Sequence, residues 1–405
     1  MRDGTSRQAG GDPSARSLRS LAQDDSHGGS AGGFRFTSVD VFRGITIVAM
    51  ILVNNPGSWK TTYWPLEHAE WHGWTPTDLV FPFFLFIVGV AIVLALKRRV
   101  DAGAPRGPLV GKVVKRSAIL FALGLFLTGY PFGLFGPREF AELIDTWRIP
   151  GVLQRIAICY LVVSLLVLFC RVRTLKVLTV VFLVGYWALM TLVPVPGIGT
   201  PNIDDPGGHL SAWLDRAVFG DHLWQQAEVY DPEGILSTIP ALATTLFGVL
   251  AGLLLVASFD PVERVARLFV RGTLLVCCGF AWGWFFPINK AIWTSSYAVF
   301  TGGLAMCGLA LCYWFFDVRY NPTVARFFTI YGVNAIALFV GSGVLARTLA
   351  YVKIDGEPLK ELIHGHLFAS WLPPYVASLA YAIAWVGGWF LVLSWMYRRR
   401  LFIKI

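Results

Sequence analysis

The sequence predicts an all-α, polytopic membrane protein, on the basis of its composition, its long apolar segments and the charges of its loops. Of the 405 residues, 55% are hydrophobic and only 15% are charged, and the mean hydropathy is +0.59. A soluble domain typically carries about 25% charged residues. The composition therefore favours an integral membrane protein.

About ten segments are long and apolar enough to cross a bilayer. A spanning helix takes roughly 20 apolar residues, because every backbone polar group must bond within its own segment. We therefore predict about ten transmembrane helices. They lie near residues 38–55, 76–96, 116–131, 151–170, 175–194, 235–257, 270–286, 293–315, 327–349 and 373–396.

The loop charges predict the orientation of these spans. If the N-terminus is placed inside, 19 Lys and Arg residues of the loops and C-terminal end fall on the cytoplasmic side and seven on the outer side. Such an excess is the positive-inside pattern. We therefore expect both termini in the cytoplasm and the protein in the cell (inner) membrane. The lipid bilayer also accounts for the net charge of +9, so no nucleic-acid partner is needed.

The first residues differ from the rest of the chain. Residues 1–33 are rich in Gly, Ser, Asp and Arg and have no apolar periodicity, which is typical of a disordered segment. We predict a disordered cytoplasmic tail over 1–33 and one transmembrane domain over 34–405.

Polar residues collect at the outer ends of the predicted spans. Ionisable residues in spans are costly and are functional candidates by default. Their shared depth predicts a pocket near the outer leaflet. The set comprises Asn54, His68, Asp78, Arg148, Gln154, Arg155, Asp231, Glu233, Asn289 and Lys290.

Several of these residues also have a purely structural interpretation. Thr75 and Asp78 have the spacing of a capping box, which we favour as the explanation of Asp78. Asp231 can likewise cap a span. Arg148 can anchor at the membrane interface, and an internal ion pair would account for Arg155.

The two histidines before the second span have three possible roles. His68, Glu70 and His72 form a His-x-Glu-x-His pattern, which a third ligand such as His364 or His366 would have to complete as a metal site. No zinc signature is completed, so we expect no metal. The second possible role is a histidine hydrogen-bonded at the membrane interface. The third is a general base or nucleophile, for which neutral imidazole is suited at pH 7.

Six motifs resemble the heparan-α-glucosaminide N-acetyltransferase family of transmembrane acyltransferases. They occur in family order over nearly all of residues 34–405. Their number and length make the resemblance specific. The motifs are SVDVFRGITIVAMILVNNPG from Ser38, HAEWHGWTPTDLVFPFFLFIVG from His68, RIPGVLQRIAICY from Arg148, YDPEGILSTIPALATTLFGVLAG from Tyr230, INKAIWTSSYAVFTGG from Ile288 and YGVNAIALF from Tyr331.

The resemblance implies transfer of an acetyl group from cytoplasmic acetyl-CoA, the co-substrate, to an amino sugar on the outer side. It implies that His68 is the active-site histidine and that Asn54 is a second catalytic residue. His68 would act as a general base or as a transient acyl carrier, and these two mechanisms stay open. Asn54 would stabilise or orient the oxyanion.

The resemblance also assigns further residues to the substrates. Asn289, Lys290, Ser295 and Ser296 would line the outer pocket, and Asn334, near the middle of the ninth span, would face the pantetheine arm. Independently of the resemblance, the candidates for the CoA phosphates are the basic residues Arg43, Lys115, Arg116 and Arg271, each of which is equally a positive-inside anchor.

One departure from the family bears on the acceptor. The lysosomal enzyme carries a lumenal domain before this core, and we expect this chain to be a bacterial-type homologue without it. A cell-envelope glycan is then the expected acceptor, and a homodimer is a family expectation. Two further functions remain open. One is a small-molecule transporter, although no repeat symmetry is visible, and the second is a non-catalytic scaffold.

Overall fold

The structure, a computed structural model, describes residues 36–134 and 144–403, which are mostly helical. The predicted tail over 1–33 lies outside this range. Two-residue strands β1 (Lys353–Ile354) and β2 (Glu357–Pro358) pair antiparallel. The longer helices are α1 (Thr37–Val53), α2 (Val80–Ile92), α3 (Arg106–Gly129), α4 (Val152–Phe169), α5 (Val172–Leu192), α6 (Leu210–Phe219), α7 (Thr238–Val256), α8 (Pro261–Trp282), α9 (Ser295–Tyr313), α10 (Pro322–Val333), α11 (Ala335–Tyr351) and α12 (Pro374–Arg398).

Shorter helical turns extend some of these helices. A 3-10 turn, Pro76–Leu79, leads into α2, which continues through a π-helical turn, Val93–Lys97, and the short helix Arg98–Asp101. A π-helical turn, Trp314–Val318, likewise continues α9. The short helix Leu359–His364 follows β2.

Within the described residues, seven helices are long and apolar enough to cross a membrane, or eight if the bent pair α10 and α11 forms one span. This confirms a helical, multi-pass membrane protein. Each of the ten predicted segments contains a described helix. However, α1 has only 17 residues, and α3 begins with several basic residues. The count of ten and the cytoplasmic termini remain predictions.

The ninth predicted span, 327–349, is not one continuous helix. It is broken at Asn334, where α10 and α11 meet at a bend of 67°. The Asn334 side chain donates to the Leu401 carbonyl at 3.2 Å and accepts from the Ile403 amide at 3.0 Å. The C-terminal backbone therefore binds at the break, and both polar atoms of this amide are used there. The expectation that Asn334 faces a substrate arm gains no support from these contacts.

The start of α1 is capped by a distant residue. The Asp317 carboxylate, at the end of the π-helical turn after α9, accepts from the backbone amides of Thr37 and Ser38, each at 3.0 Å. The first amides of a helix lack partners within the helix. Asp317 satisfies two of them and ties α1 to the α9 segment.

Two glycines allow α2 and α7 to pack backbone to backbone. A Cβ at Gly248 would lie 1.9 Å from the Phe86 carbonyl oxygen, and one at Gly89 would lie 2.0 Å from that of Thr245. Small residues at such interfaces let helices approach closely in membranes. This contact places the start of α2 beside the segment that leads into α7.

We predict that Gly248→Ala lowers the free energy of unfolding by about 1–3 kcal/mol, the usual cost of overpacking. The added methyl group would meet backbone, which cannot rotate away. Chemical denaturation in detergent micelles measures the change. The matched control is Gly387→Ala in α12, where a Cβ meets open space. Equal stability of the Gly248 variant and wild type would contradict the close packing.

Candidate active site

The core of the site is a hydrogen bond between His68 and Asp78. His68 lies in the segment between α1 and α2, and Asp78 lies in the 3-10 turn before α2. The His68 Nδ1 atom lies 2.6 Å from the Asp78 Oδ1 atom. The His68 side chain is 49% exposed, whereas that of Asp78 is 1% exposed. A buried carboxylate thus holds a histidine that solvent can reach.

The same carboxylate also closes the start of the helix. Its Oδ2 atom accepts from the backbone amide of Thr75 at 2.9 Å and from that of Ala69 at 3.0 Å. Thr75 and Asp78 form a capping box, so the capping prediction is confirmed. Helix capping is not the full role of Asp78, however, because its other carboxylate oxygen binds His68.

These contacts fix which nitrogen of His68 is basic. A carboxylate only accepts hydrogen bonds, so Nδ1 of the neutral ring carries the proton and Nε2 keeps its lone pair. The Tyr297 hydroxyl, from α9, donates to the Asp78 carbonyl at 2.5 Å and holds this turn in place. The ring is therefore oriented to take a proton at Nε2.

Lys290 lies against the His68 ring. Its Nζ atom is 3.2 Å from each ring nitrogen and 3.9 Å from the Asp78 Oδ1 atom. Burial lowers the pKa of Lys290 below its ordinary value, although the carboxylates of Asp78 and Glu233 partly offset this effect. Lys290 thus lies beside His68 and Asp78, and its place in an outer substrate pocket stays a prediction.

The two histidines of the His-x-Glu-x-His pattern have different partners. The His72 Nε2 atom lies 2.8 Å from the Asp204 Oδ1 atom, and its Nδ1 atom lies 3.3 Å from the Asn289 Nδ2 atom. His72 therefore joins two other loops rather than the His68 pair. Over the described ranges, no group of three or more His, Cys, Asp and Glu side chains could hold a metal ion.

A second charged cluster consists of Arg148, Asp231 and Glu233. Arg148 donates from Nε to Asp231 at 2.9 Å, and from Nη2 to Asp231 at 2.6 Å and to Glu233 at 2.5 Å. Burial alone would raise the pKa of Glu233, but the cations of Arg148, Arg155 and Lys290 lower it. Arg148 is thus paired with two carboxylates and is more than an interfacial anchor.

The charges connect this cluster to the His68 pair. Glu233 and Lys290 influence each other's pKa, and Lys290 contacts His68. The Lys290 ammonium is therefore within electrostatic reach of both sets of carboxylates. The two clusters are thus linked by charge, and their location at the outer face stays a prediction.

Arg155 is buried without an ion pair. Its Nη2 atom donates to the Gly234 carbonyl at 3.1 Å and to the Ser237 hydroxyl, and its guanidinium lies 5.3 Å from the Trp293 ring centroid. Within the described residues, its Nε and Nη1 atoms have no hydrogen-bond partner. Asp231 and Glu233 pair with Arg148 instead, so among the described residues Arg155 does not form the internal ion pair that the sequence suggested.

Other predicted residues make structural contacts. The Gln154 side chain donates to the Ile149 carbonyl at 3.0 Å, and the Ser295 hydroxyl donates to the Leu183 carbonyl at 2.7 Å. Asn289 is buried, and its side-chain oxygen accepts from the Ile292 amide at 3.1 Å. The Ser295 and Gln154 contacts hold helix ends, and those of Asn289 shape the Lys290 loop.

Asn54 stands apart from the His68 pair. It is exposed just after the end of α1, and its backbone amide donates to the Met50 carbonyl at 3.1 Å. Among the described contacts, none joins its side chain to His68 or Lys290. Its catalytic role therefore stays a prediction.

Sequence reasoning missed the residues that support the site. Tyr297 holds the Asp78 turn, Trp293 lies beside Arg155, and Asp204 fixes His72. One local sequence signal could have predicted the pairing of His68 with Asp78. A capping box turns the Asp78 side chain back toward the segment before the helix, where His68 lies.

Comparisons with known proteins identify relatives of this chain. Residues 35–201 match the family model described as heparan-alpha-glucosaminide N-acetyltransferase, catalytic. The chain is 30% identical over 422 residues to heparan-alpha-glucosaminide N-acetyltransferase of Mus musculus. It is 31% identical over 430 residues to that of Homo sapiens. Each match covers 92% of this chain and 60% of the relative's length.

We predict that Arg148→Gln lowers the free energy of unfolding by about 3–5 kcal/mol at neutral pH, because two buried carboxylates would lose their cation. The control is Arg267→Gln, which removes an exposed pair with Glu263. That change should cost less than about 1 kcal/mol. Denaturation in detergent micelles compares both variants with wild type.

The loss of unfolding free energy caused by Arg148→Gln should also depend on pH. In the wild type the lowered pKa of Glu233 contributes stability at neutral pH that is lost as the pH falls through its folded-state pKa. In the variant the unpaired carboxylates are relieved by protonation. The stability gap to wild type should therefore narrow as the pH falls. A gap that is constant with pH would contradict the role of these charges.

Proposed function

Because this chain is a relative of heparan-alpha-glucosaminide N-acetyltransferase and residues 35–201 match its catalytic family, we propose that it is a transmembrane acetyltransferase. It moves an acetyl group from acetyl-CoA to an amino sugar or another cell-envelope glycan acceptor. The observation that carries the proposal is the half-exposed His68 held by the buried Asp78 carboxylate. A scaffold would not need a solvent-accessible histidine oriented by a buried carboxylate.

His68 acts on the nitrogen of the acceptor. An ammonium group has no lone pair to react, so a base must take its proton first. The Nε2 atom of His68 takes this proton, while Asp78 stabilises the charge that the ring gains. The nitrogen then attacks the thioester carbonyl, so a C–N bond forms and the C–S bond breaks. Of the two protons lost by the ammonium, one reaches the CoA sulfur and the other reaches solvent.

The surrounding charges suit an amino-sugar acceptor. Asp78 and Glu233 attract an ammonium group to the His68 ring, and Arg148 can bind sugar hydroxyls at the edge of the site. Asn54 supplies an amide for the oxyanion in this proposal. The exposed position of Asn54 requires the segment that carries it to close over the thioester.

The proposed topology brings the two substrates from opposite sides. Ten spans with both termini inside give the 19 to 7 distribution of Lys and Arg residues. Acetyl-CoA then approaches from the cytoplasm of a bacterial-type cell membrane, with its phosphates near the cytoplasmic basic residues. The acceptor approaches from the outside, where His68 is exposed. A homodimer completes the proposed assembly.

The test measures CoA release by the purified protein in nanodiscs with acetyl-CoA, with and without glucosamine. Wild type should release CoA in an amine-dependent reaction. His68→Gln should reduce the rate by about 10²–10⁴-fold, the usual contribution of a positioned base. An acetyl group trapped on His68 by rapid quenching, and released by hydroxylamine, would instead indicate the acyl-carrier mechanism.

The matched control is His72→Gln, four residues away. His72 contacts Asp204 and Asn289 rather than Asp78, so this variant should keep its rate within about tenfold of wild type. If no acceptor yields CoA, the proposed reaction is wrong and transport becomes the next function to test. Equal losses in both histidine variants would remove His68 from its role.

A further inference from the structure

Lys290 presents an amine at the point where the proposed reaction needs one. Its Nζ atom lies against the His68 ring, 3.2 Å from both the Nε2 atom of the proposed base and the Nδ1 atom. It also lies 3.9 Å from the Asp78 carboxylate. An acceptor ammonium would make these same contacts before it loses its proton. Lys290 thus occupies the position expected for the substrate amine.

The loop that carries Lys290 is firmly anchored. The Tyr186 hydroxyl donates to the Ile292 carbonyl at 2.6 Å, and Phe286 and Ile292 are buried in one apolar cluster with Tyr186. The backbone amide of Asn289 donates to the Thr294 hydroxyl at 3.0 Å. These contacts fix the backbone on both sides of Lys290, so its side chain is directed to His68 by the fold.

The surroundings also make Lys290 a better nucleophile than an ordinary lysine. Its side chain is only 23% exposed, and burial lowers its pKa. A larger fraction of the amine is therefore neutral at a given pH than for a solvated lysine. Activated lysines in desolvated sites act as nucleophiles for the same reason.

We propose that Lys290 is an internal acceptor, which the protein acetylates in its own site when no external amine is bound. This inference rests on the proposed acetyltransferase function. His68 takes a proton from the Lys290 ammonium, and Nζ then attacks the thioester carbonyl. A C–N bond forms and the C–S bond breaks. Of the two protons that Nζ loses, one reaches the CoA sulfur and the other reaches solvent.

The modification would switch the site off. Acetyllysine is neutral and longer than lysine, so it removes the cation beside Asp78 and fills the space of the acceptor amine. An external amino sugar would compete with Lys290 for His68 and protect it. Acetyl-CoA without an acceptor should therefore inactivate the enzyme slowly.

The experiment uses the full-length protein in nanodiscs with isotope-labelled acetyl-CoA, followed by proteolysis and mass spectrometry. Without glucosamine, the label on Lys290 should exceed that on Lys60 or Lys360 by about tenfold or more, because among the described contacts neither of these lysines reaches His68 and Lys360 lies over the Trp59 ring. Saturating glucosamine should suppress it. His68→Gln should abolish it, and a size-exclusion profile like that of wild type confirms that this variant is folded.

Two results would overturn the inference and leave the proposed function intact. One is normal glucosamine-dependent CoA release from protein whose Lys290 stays unlabelled. The other is equal label on all three lysines that persists in His68→Gln, because this is non-enzymatic acetylation. If CoA release and label are both absent, the proposed function itself fails.

A second measurement follows the inactivation itself. Wild type pre-incubated with acetyl-CoA should lose activity with time, and glucosamine should slow the loss. Lys290→Arg, compared with its own activity at zero time, should show no such loss, because a guanidinium is not acetylated under these conditions. Equal time-dependent losses in both proteins would contradict internal acetylation.

Discussion

The buried carboxylate of Asp78 is the interaction on which the rest of the site depends. One oxygen accepts from the backbone amides of Thr75 and Ala69, and the other binds His68. A carboxylate at the edge of a membrane span is costly unless its oxygens are hydrogen-bonded. The contacts that satisfy this charge are also those that fold the loop and orient the ring. Helix capping and the orientation of His68 therefore share one side chain.

The close packing of α2 and α7 extends this constraint to the rest of the site. Gly89 and Gly248 let the two backbones touch, which brings the segments before α2 and α7 to the same end of the helix pair. Lys290 lies 3.9 Å from the Asp78 carboxylate, and the charges of both Asp78 and Glu233 raise its pKa. Buried ions keep their charge only when they are paired. Here Lys290, beside His68 and Asp78, and Glu233, beside Arg148, each stabilise the charged form of the other. The helix interface thus determines the electrostatics of the site.

Sequence predicted the helical class and the gathering of polar residues at span ends, because apolar length and charge are properties of each segment by itself; the outer side of that cluster stays a prediction. It also predicted the cap at Asp78, which depends on only four residues. It did not predict the bend at Asn334, since the Asn334 side chain binds the backbone of a C-terminal segment almost 70 residues away in sequence. Nor could it place Lys290 against His68, 222 residues apart. Such contacts arise from helix packing and leave no local pattern.

The most direct test of this account is a double-mutant cycle on His68 and Asp78, measured as amine-dependent CoA release in nanodiscs. Residues that act as one unit have strongly non-additive effects on rate. The account predicts that Asp78→Asn lowers the rate substantially by itself, and that the double variant is no slower than His68→Gln. If the two losses multiply in the double variant, Asp78 acts independently of His68 and the central claim is wrong.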